Sequence, residues 1–213
     1  METTLVSPTV GRSCRRLDRS YNNGHRKTPG FDTGWALALH RRYDAATKTL
    51  IRSEQGELVN RMKYYHDMRA LNVLVEQMKQ RITDRLAELG RETSVFDAII
   101  PIPPSIQNRP FQPVIEIARR LAEQLSIPFD ADLVSKQGDL QPMKNLESYE
   151  EKVAHLRQVL KVADTRYAGK RLLVIDDIVD SGATLDTVAS LLKTHGAVGH
   201  VYVLCATETL MKR

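Results

Sequence analysis

The chain has 213 residues, of which 42% are hydrophobic and 27% charged, with a formal net charge of +5. That length buries a substantial core in one or two domains, and the composition is globular rather than disordered or fibrous. Cys14 and Cys205 are the two cysteines, which excludes a disulfide framework and a Cys-rich zinc site. No apolar run approaches the roughly 18 residues of a membrane span, and no signal-peptide core opens the chain, so a soluble, cytoplasmic protein is expected.

Four of the five net charges fall in residues 1–30, where Arg12, Arg15, Arg16, Arg19, Arg26 and Lys27 oppose only Glu2 and Asp18. Few large apolar residues accompany them, so a disordered basic tail is expected. It either solubilises the chain or makes a weak nucleic-acid contact through residues 12–27. Gly34 to Tyr43 and Lys48 to Ser53 read as two strands with Asp44 to Thr47 turning between them. A helix starts in Gly56–Tyr65. A longer one covers Met68 to Leu89, with Leu71, Leu74, Val75, Met78, Ile82, Leu86 and Leu89 at helical spacing for packing. Lys63 and Tyr64 fall near the break between these helices, either facing a cleft or lying on plain surface.

Val95 to Ile102 reads as a buried strand that Pro101, Pro103 and Pro104 bring to an end. The loop from Ser105 to Gln112 leads into a helix with Pro113 near its first position and Val114, Ile117, Ala118, Leu121 and Leu125 on its apolar face. That loop could bind an anion with Arg109 as the charge, or Arg109 is a surface residue. Ile127 to Val134 reads as a further strand. The polar segment Ser135–Glu147 carries Lys136 and Lys144 and has the length of a lid or binding loop, unless it is merely disordered. A helix over Ser148 to Leu160 and a turn at Ala168-Gly169 follow.

The stretch from Lys170 to Leu185, KRLLVIDDIVDSGATL, organises the rest. Leu172 to Ile175 suit a strand buried on both faces, and Asp176 and Asp177 follow at its carboxyl end, where open α/β sheets hold ligands. Asp180, Ser181, Gly182, Ala183 and Thr184 form a small-residue turn. A helix with Leu185, Val188, Leu191 and Leu192 on one face begins at Thr184 and ends at Gly196, in the C′ position. Unpaired amides and the positive helix end make such a turn an anion cradle. Val201 to Ala206 gives a last strand. Alternating strands and helices imply an α/β fold, a mostly parallel sheet with helices on both faces. Residues 31–92 would form a small α+β hood and residues 93–213 the core.

Four apolar residues, two acids and D-S-G-A-T resemble the motif by which type I phosphoribosyltransferases bind 5-phosphoribosyl 1-pyrophosphate (PRPP). Residues 34–207 further resemble the ComF-like (competence) branch of that family. Gly56-Glu57-Leu58 with Lys63-Tyr64 match its GEL…KY segment, and Arg109-Pro110-Phe111-Gln112 stand near its R-G-F-N-Q segment with proline replacing glycine. Gln141, Lys152, His155 and Leu160 correspond loosely to a later stretch. The zinc-binding module that opens many members is absent.

The resemblance implies a type I phosphoribosyltransferase fold and transfer of ribose 5-phosphate from PRPP to a nucleobase or other nitrogen nucleophile, with Mg²⁺ as cofactor. It implies that Asp176 and Asp177 bond the ribose hydroxyls and that Asp180 to Thr184 wrap the 5′-phosphate. Ser105 and Arg109 would hold the pyrophosphate, with Lys136 or Lys144 closing over it. Asp180 would either exchange a proton with the acceptor or cap its own turn. The alternative function is a non-catalytic PRPP- or nucleotide-binding module or a DNA-processing accessory protein of the competence type. A homodimer is compatible with either, and neither names a membrane partner.

Overall fold

The computed structural model describes residues 15–17, 30–105, 109–137, 146 and 148–209. In chain order the elements are β1 (Arg15–Arg16), β2 (Thr33–Leu39), β3 (Arg41–Asp44), β4 (Thr49–Arg52), α1 (Glu54–Tyr65) and α2 (Met68–Glu88). A 3₁₀ turn at Thr93–Val95 precedes β5 (Ala98–Pro101), α3 (Pro113–Leu125), β6 (Val134–Lys136) and α4 (Tyr149–Val159). β7 (Leu160–Val162), β8 (Arg171–Val179), α5 (Ala183–Thr194) and β9 (His200–Glu208) follow as the last of the described elements.

The main sheet has the order β1-β2-β9-β8-β5, parallel from β2 to β5 with β1 antiparallel at one edge. In β8, Leu172, Leu173, Val174 and Ile175 are all buried. A strand with both faces covered has to read as an unbroken apolar run, and this one does. Leu172 and Val174 join one core cluster with residues of α4 and α5. Leu173 and Ile175 join another with residues of α1, α2 and α3. The molecule is thus an α/β sandwich of a parallel sheet between two helical layers. No helix among the described residues is long and apolar enough to cross a membrane.

Caps explain where the helices start. Ser53 accepts from the Gly56 amide at 2.9 Å, Asp67 accepts from Arg69 and Ala70 amides, and Ser148 with Glu151 forms a reciprocal capping box. α3 has no side-chain cap but carries Pro113 in its first turn, where the missing N–H costs nothing.

Several sequence expectations are corrected. Of the basic tail, Arg15–Arg16 pair with β2 and Leu17 is 1% exposed in the core, so these residues are ordered; residues 1–14 and 18–29 lie outside the described residues. The expected strand from Gly34 to Tyr43 breaks at His40, leaving β2 in the main sheet and β3 in a hairpin with β4. The break coincides with the close approach of α1 at Gly56. A Cβ on Gly56 would lie 2.0 Å from the His40 carbonyl oxygen, so only glycine lets the helix abut the chain there. Ile127 to Val134 is not one strand, since Phe129 makes a single bridge to Ile99 and β6 starts at Val134. Gly196 follows the His195 cap of α5, but the positive φ falls on Ala197 (53°). Gly196 is required by crowding, its Cβ position lying 2.7 Å from the Leu192 carbonyl.

Candidate PRPP-binding cleft

Asp176 and Asp177 lie inside β8 rather than beyond its end, because β9 continues to pair with Ile178 and Val179. Alternation along a strand sends their side chains to opposite faces. Asp176 follows the Leu172/Val174 face and Asp177 the Leu173/Ile175 face, over which α1 lies. Lys63 of α1 meets Asp177 there, Nζ to Oδ2 at 2.8 Å, with the side chains 24% and 6% exposed. The Asp176 carboxylate accepts from the Asp177 amide at 2.8 Å.

Charge is concentrated around this pair. Burial and the neighbouring Asp177 charge raise the Asp176 pKa well above the usual carboxylate range, against the pull of the Asp177 amide, Lys63 and Lys136. Lys136 is 7% exposed, and burial lowers its pKa while Asp176 opposes the shift. Behind Asp177 the Thr207 hydroxyl donates to the Asp177 carbonyl at 3.2 Å and lies 3.0 Å from His40 Nδ1. With its proton so committed, Thr207 accepts from His40 Nδ1–H. Burial, followed by Arg41, Arg52 and Lys63, lowers the His40 pKa and favours the neutral ring.

After β8 the chain turns through Asp180, Ser181 and Gly182 into α5. Gly182 is the N-cap at φ 76°, a left-handed conformation open to glycine at little cost, and no side chain caps the helix. The first-turn amides therefore stay available to an anion in the adjoining cavity. Asp180 is exposed and accepts from Thr209 Oγ1 at 2.7 Å. Among the described residues this carboxylate bonds Thr209 rather than an amide of its own turn.

Two cavities of about 360 and about 300 Å³ meet along Ser105, Asp176, Ile178 and Thr184. The first also holds Lys63, Tyr64, Arg109, Lys136 and Asp177; the second holds Asp180, Ser181, Gly182 and Ala183. Nearly every expected site residue thus lines one continuous cleft. Lys144 lies outside the described residues, as does most of the segment 138–147. Lys136 is not on a lid, because it ends β6 and pairs there with Leu160 of β7. Lys63 and Tyr64 face the cleft, which decides between the two readings left open for them. The Phe111 ring, next to Arg109 and Pro110, packs tilted at 42° against His66 just past α1, with centroids 5.1 Å apart.

Three features were not assigned a role from sequence. Lys152 of α4 lines the phosphate-side cavity; the capping box at Ser148 and Glu151 signals the helix that carries it. His40 needed the pairing of β2 with β9 to find Thr207. Asp186, in the first turn of α5, accepts from the Tyr149 hydroxyl and from the Gly30 amide at 3.0 Å, fastening α4 and residue 30 to α5. Burial and the Asp186 carboxylate raise the Tyr149 pKa, so the phenol stays protonated.

Among the described residues no three His, Cys, Asp or Glu side chains gather as a metal-ion group. The donor set, two carboxylates on one strand beside a phosphate cradle, suits Mg²⁺ carried mainly by phosphate oxygens and water rather than by a protein cage.

Residues 114–210 match the family model described as a phosphoribosyl transferase domain. No curated protein matches the chain. Among solved structures, adenine phosphoribosyltransferase from Saccharomyces cerevisiae aligns at 16% identity and a TM-score of 0.45, over 82% of this chain and 85% of that one. A purine phosphoribosyltransferase from Pyrococcus horikoshii aligns at 19% identity and 0.37, over 64% and 81%. The hypoxanthine-guanine enzyme of Leishmania donovani aligns at 16% and 0.41, over 64% and 70%. The stretch from α3 to the end of β9, which holds the acidic pair and the turn into α5, is thus the part of the chain that is similar to a phosphoribosyl transferase domain.

Proposed function

We propose that the protein transfers ribose 5-phosphate from PRPP to a nucleobase or another nitrogen nucleophile, releasing pyrophosphate. The observation that carries this is the placement of Asp176 and Asp177 within one cleft between a glycine-capped helix terminus and a group of cations. In this reading the amides of residues 182–184 and the hydroxyls of Ser181 and Thr184 take the 5′-phosphate, with Lys152 adding charge. Asp176 and Asp177 accept from the ribose hydroxyls. Arg109, Lys136 and Ser105 lie on the pyrophosphate side.

The C1–oxygen bond to pyrophosphate breaks as the nitrogen–C1 bond forms, and the transition state resembles an oxocarbenium ion. Positioning and neutralisation of the leaving group then supply most of the rate. Asp180, exposed and facing the same cleft, takes the proton that the acceptor nitrogen loses. Asp176 and Asp177 are the residues that would hold the water shell of Mg²⁺ entering with PRPP, which when bound would further neutralise the pyrophosphate. Residues 31–92 serve as a hood that presents Lys63 and Tyr64 to the cleft. Their exposure there supports the ComF-like assignment, as Lys63-Tyr64 belong to the segment that suggested it.

The test is pyrophosphate release from PRPP with each of a panel of nucleobases. The expected result is release above the acceptor-free rate with at least one acceptor, lost in Asp180→Asn. PRPP binding without release for any acceptor would overturn transfer and leave the non-catalytic accessory role.

A further inference from the structure

A cavity of about 380 Å³ lies at the opposite end of the sheet from the PRPP cleft. Its floor is aromatic: Trp35 near the start of β2, Tyr202 near the start of β9, and Phe96 just before β5, with Phe96 and Tyr202 edge to face at 5.4 Å. Leucine and isoleucine side chains of α2 close one side. Three arginines complete the lining, Arg81 and Arg85 from the last turns of α2 and Arg91 from the loop beyond.

The two helix arginines are not fully used by the fold. The Nε atoms of both Arg81 and Arg85 are buried without a hydrogen-bond partner. Arg85 Nη1 donates to Glu88 at 2.7 Å, whereas the Arg81 guanidinium makes no hydrogen bond or close ion pair to any described residue and only a longer-range attraction to Glu88. A desolvated guanidinium nitrogen without an acceptor costs free energy, and native structures rarely keep two side by side without a reason. Packing the arginine stems against Trp35 would explain the stems but leaves the nitrogens unanswered. An apolar, concave space of this size with a few convergent polar groups has the anatomy of a small-molecule site.

We propose that this cavity binds a small aromatic monoanion, its ring against Trp35, Phe96 and Tyr202 and its anionic head on Arg81 and Arg85. A planar carboxylate or sulfonate suits the forked guanidinium donors, and the ring suits the aromatic floor. The site is independent of PRPP chemistry, since it shares no lining residue with that cleft.

Trp35 is the chain's single tryptophan and lines this cavity, so its emission reports a probe bound within transfer range, and the arginine variants localise that probe to the cavity. The probes are 8-anilinonaphthalene-1-sulfonate and N-phenyl-1-naphthylamine, which share the ring system and differ by the sulfonate. Saturable energy transfer from Trp35 to the sulfonate is expected, with affinity about tenfold or more above that of the neutral amine. Arg81→Gln should remove most of that preference, and Arg81→Gln/Arg85→Gln all of it. The single variant, which loses no hydrogen bond, keeps the test valid if the double variant folds poorly. Absence of energy transfer, equal affinity for both probes in the wild type, or unchanged sulfonate binding in Arg81→Gln would each overturn the proposal. So would sedimentation showing a stable dimer that admits neither probe, which would assign the cavity to a second copy of the chain.

Discussion

Lys63 Nζ stands 2.8 Å from the Asp177 carboxylate, so a helix distant in sequence neutralises a buried acid of the central strand. Removing one partner of such a pair strands a charge of which only 6% is exposed. Lys63→Met is expected to lower stability by about 1–3 kcal/mol, reduced below the fully buried range because Lys63 keeps some solvent contact. In an Asp177→Asn background the same change should cost far less. Urea unfolding of the four proteins of the cycle measures that coupling; additive costs would show the two groups acting independently.

Asp176 gives a pH prediction of the opposite sense. Its folded pKa is raised by burial and by Asp177, so the folded state holds its proton more tightly than the unfolded chain does. The carboxylate's contribution to stability is then lost as pH rises from the unfolded value of 3.8 through the raised folded value. Asp176→Asn, which cannot ionise, should raise the melting temperature near pH 7 and make little difference near pH 4. The same variant should bind PRPP poorly. A variant less stable than wild type at neutral pH would contradict the reading that burial and Asp177 disfavour the charge on this carboxylate.

Much of this arrangement is legible in the residues from 170 to 185, because strand, acids, glycine turn and helix are contiguous and each leaves a local signature. The strand's true end was not, since β8 reaches Val179 only because β9 extends alongside it to Glu208. Lys63 could be suspected from the break between α1 and α2, but its partner is more than a hundred residues away. His40 carries no local pattern that marks it and Lys152 only a loose family correspondence, as their places come from the pairing of β2 with β9 and from the docking of α4 on α5. The polar sequence flanking Lys136 points to a lid, whereas three residues of pairing with β7 fix it in place.

Gly182 holds φ at 76° where the turn meets the helix. A side chain there is strained by about 1–2 kcal/mol and also intrudes on the anion cradle. Gly182→Val should lower the affinity for PRPP and for inorganic phosphate by at least about tenfold (about 1.4 kcal/mol). Competition of phosphate against PRPP binding measures it; unchanged affinity would place the phosphate elsewhere.

Lys152 lies on the surface of α4 that faces the same turn. Lys152→Ala should weaken PRPP binding by about three- to tenfold, with little change in melting temperature, since it makes no ion pair with a described residue and only a charge-assisted contact is lost. Lys152→Arg should retain most of the affinity. Titrations at two salt concentrations should also show a shallower salt dependence for the alanine variant. Equal affinity in all three proteins would remove Lys152 from the site.

The most direct measurement is calorimetric titration with PRPP, with and without Mg²⁺, of the wild type and of Asp176→Asn/Asp177→Asn. Saturable, Mg²⁺-dependent binding by the wild type, abolished in the double variant while the fold persists by circular dichroism, is the predicted result. Wild-type protein that fails to bind PRPP under either condition, or a double variant that binds it unchanged, would contradict the assignment of this cleft to PRPP.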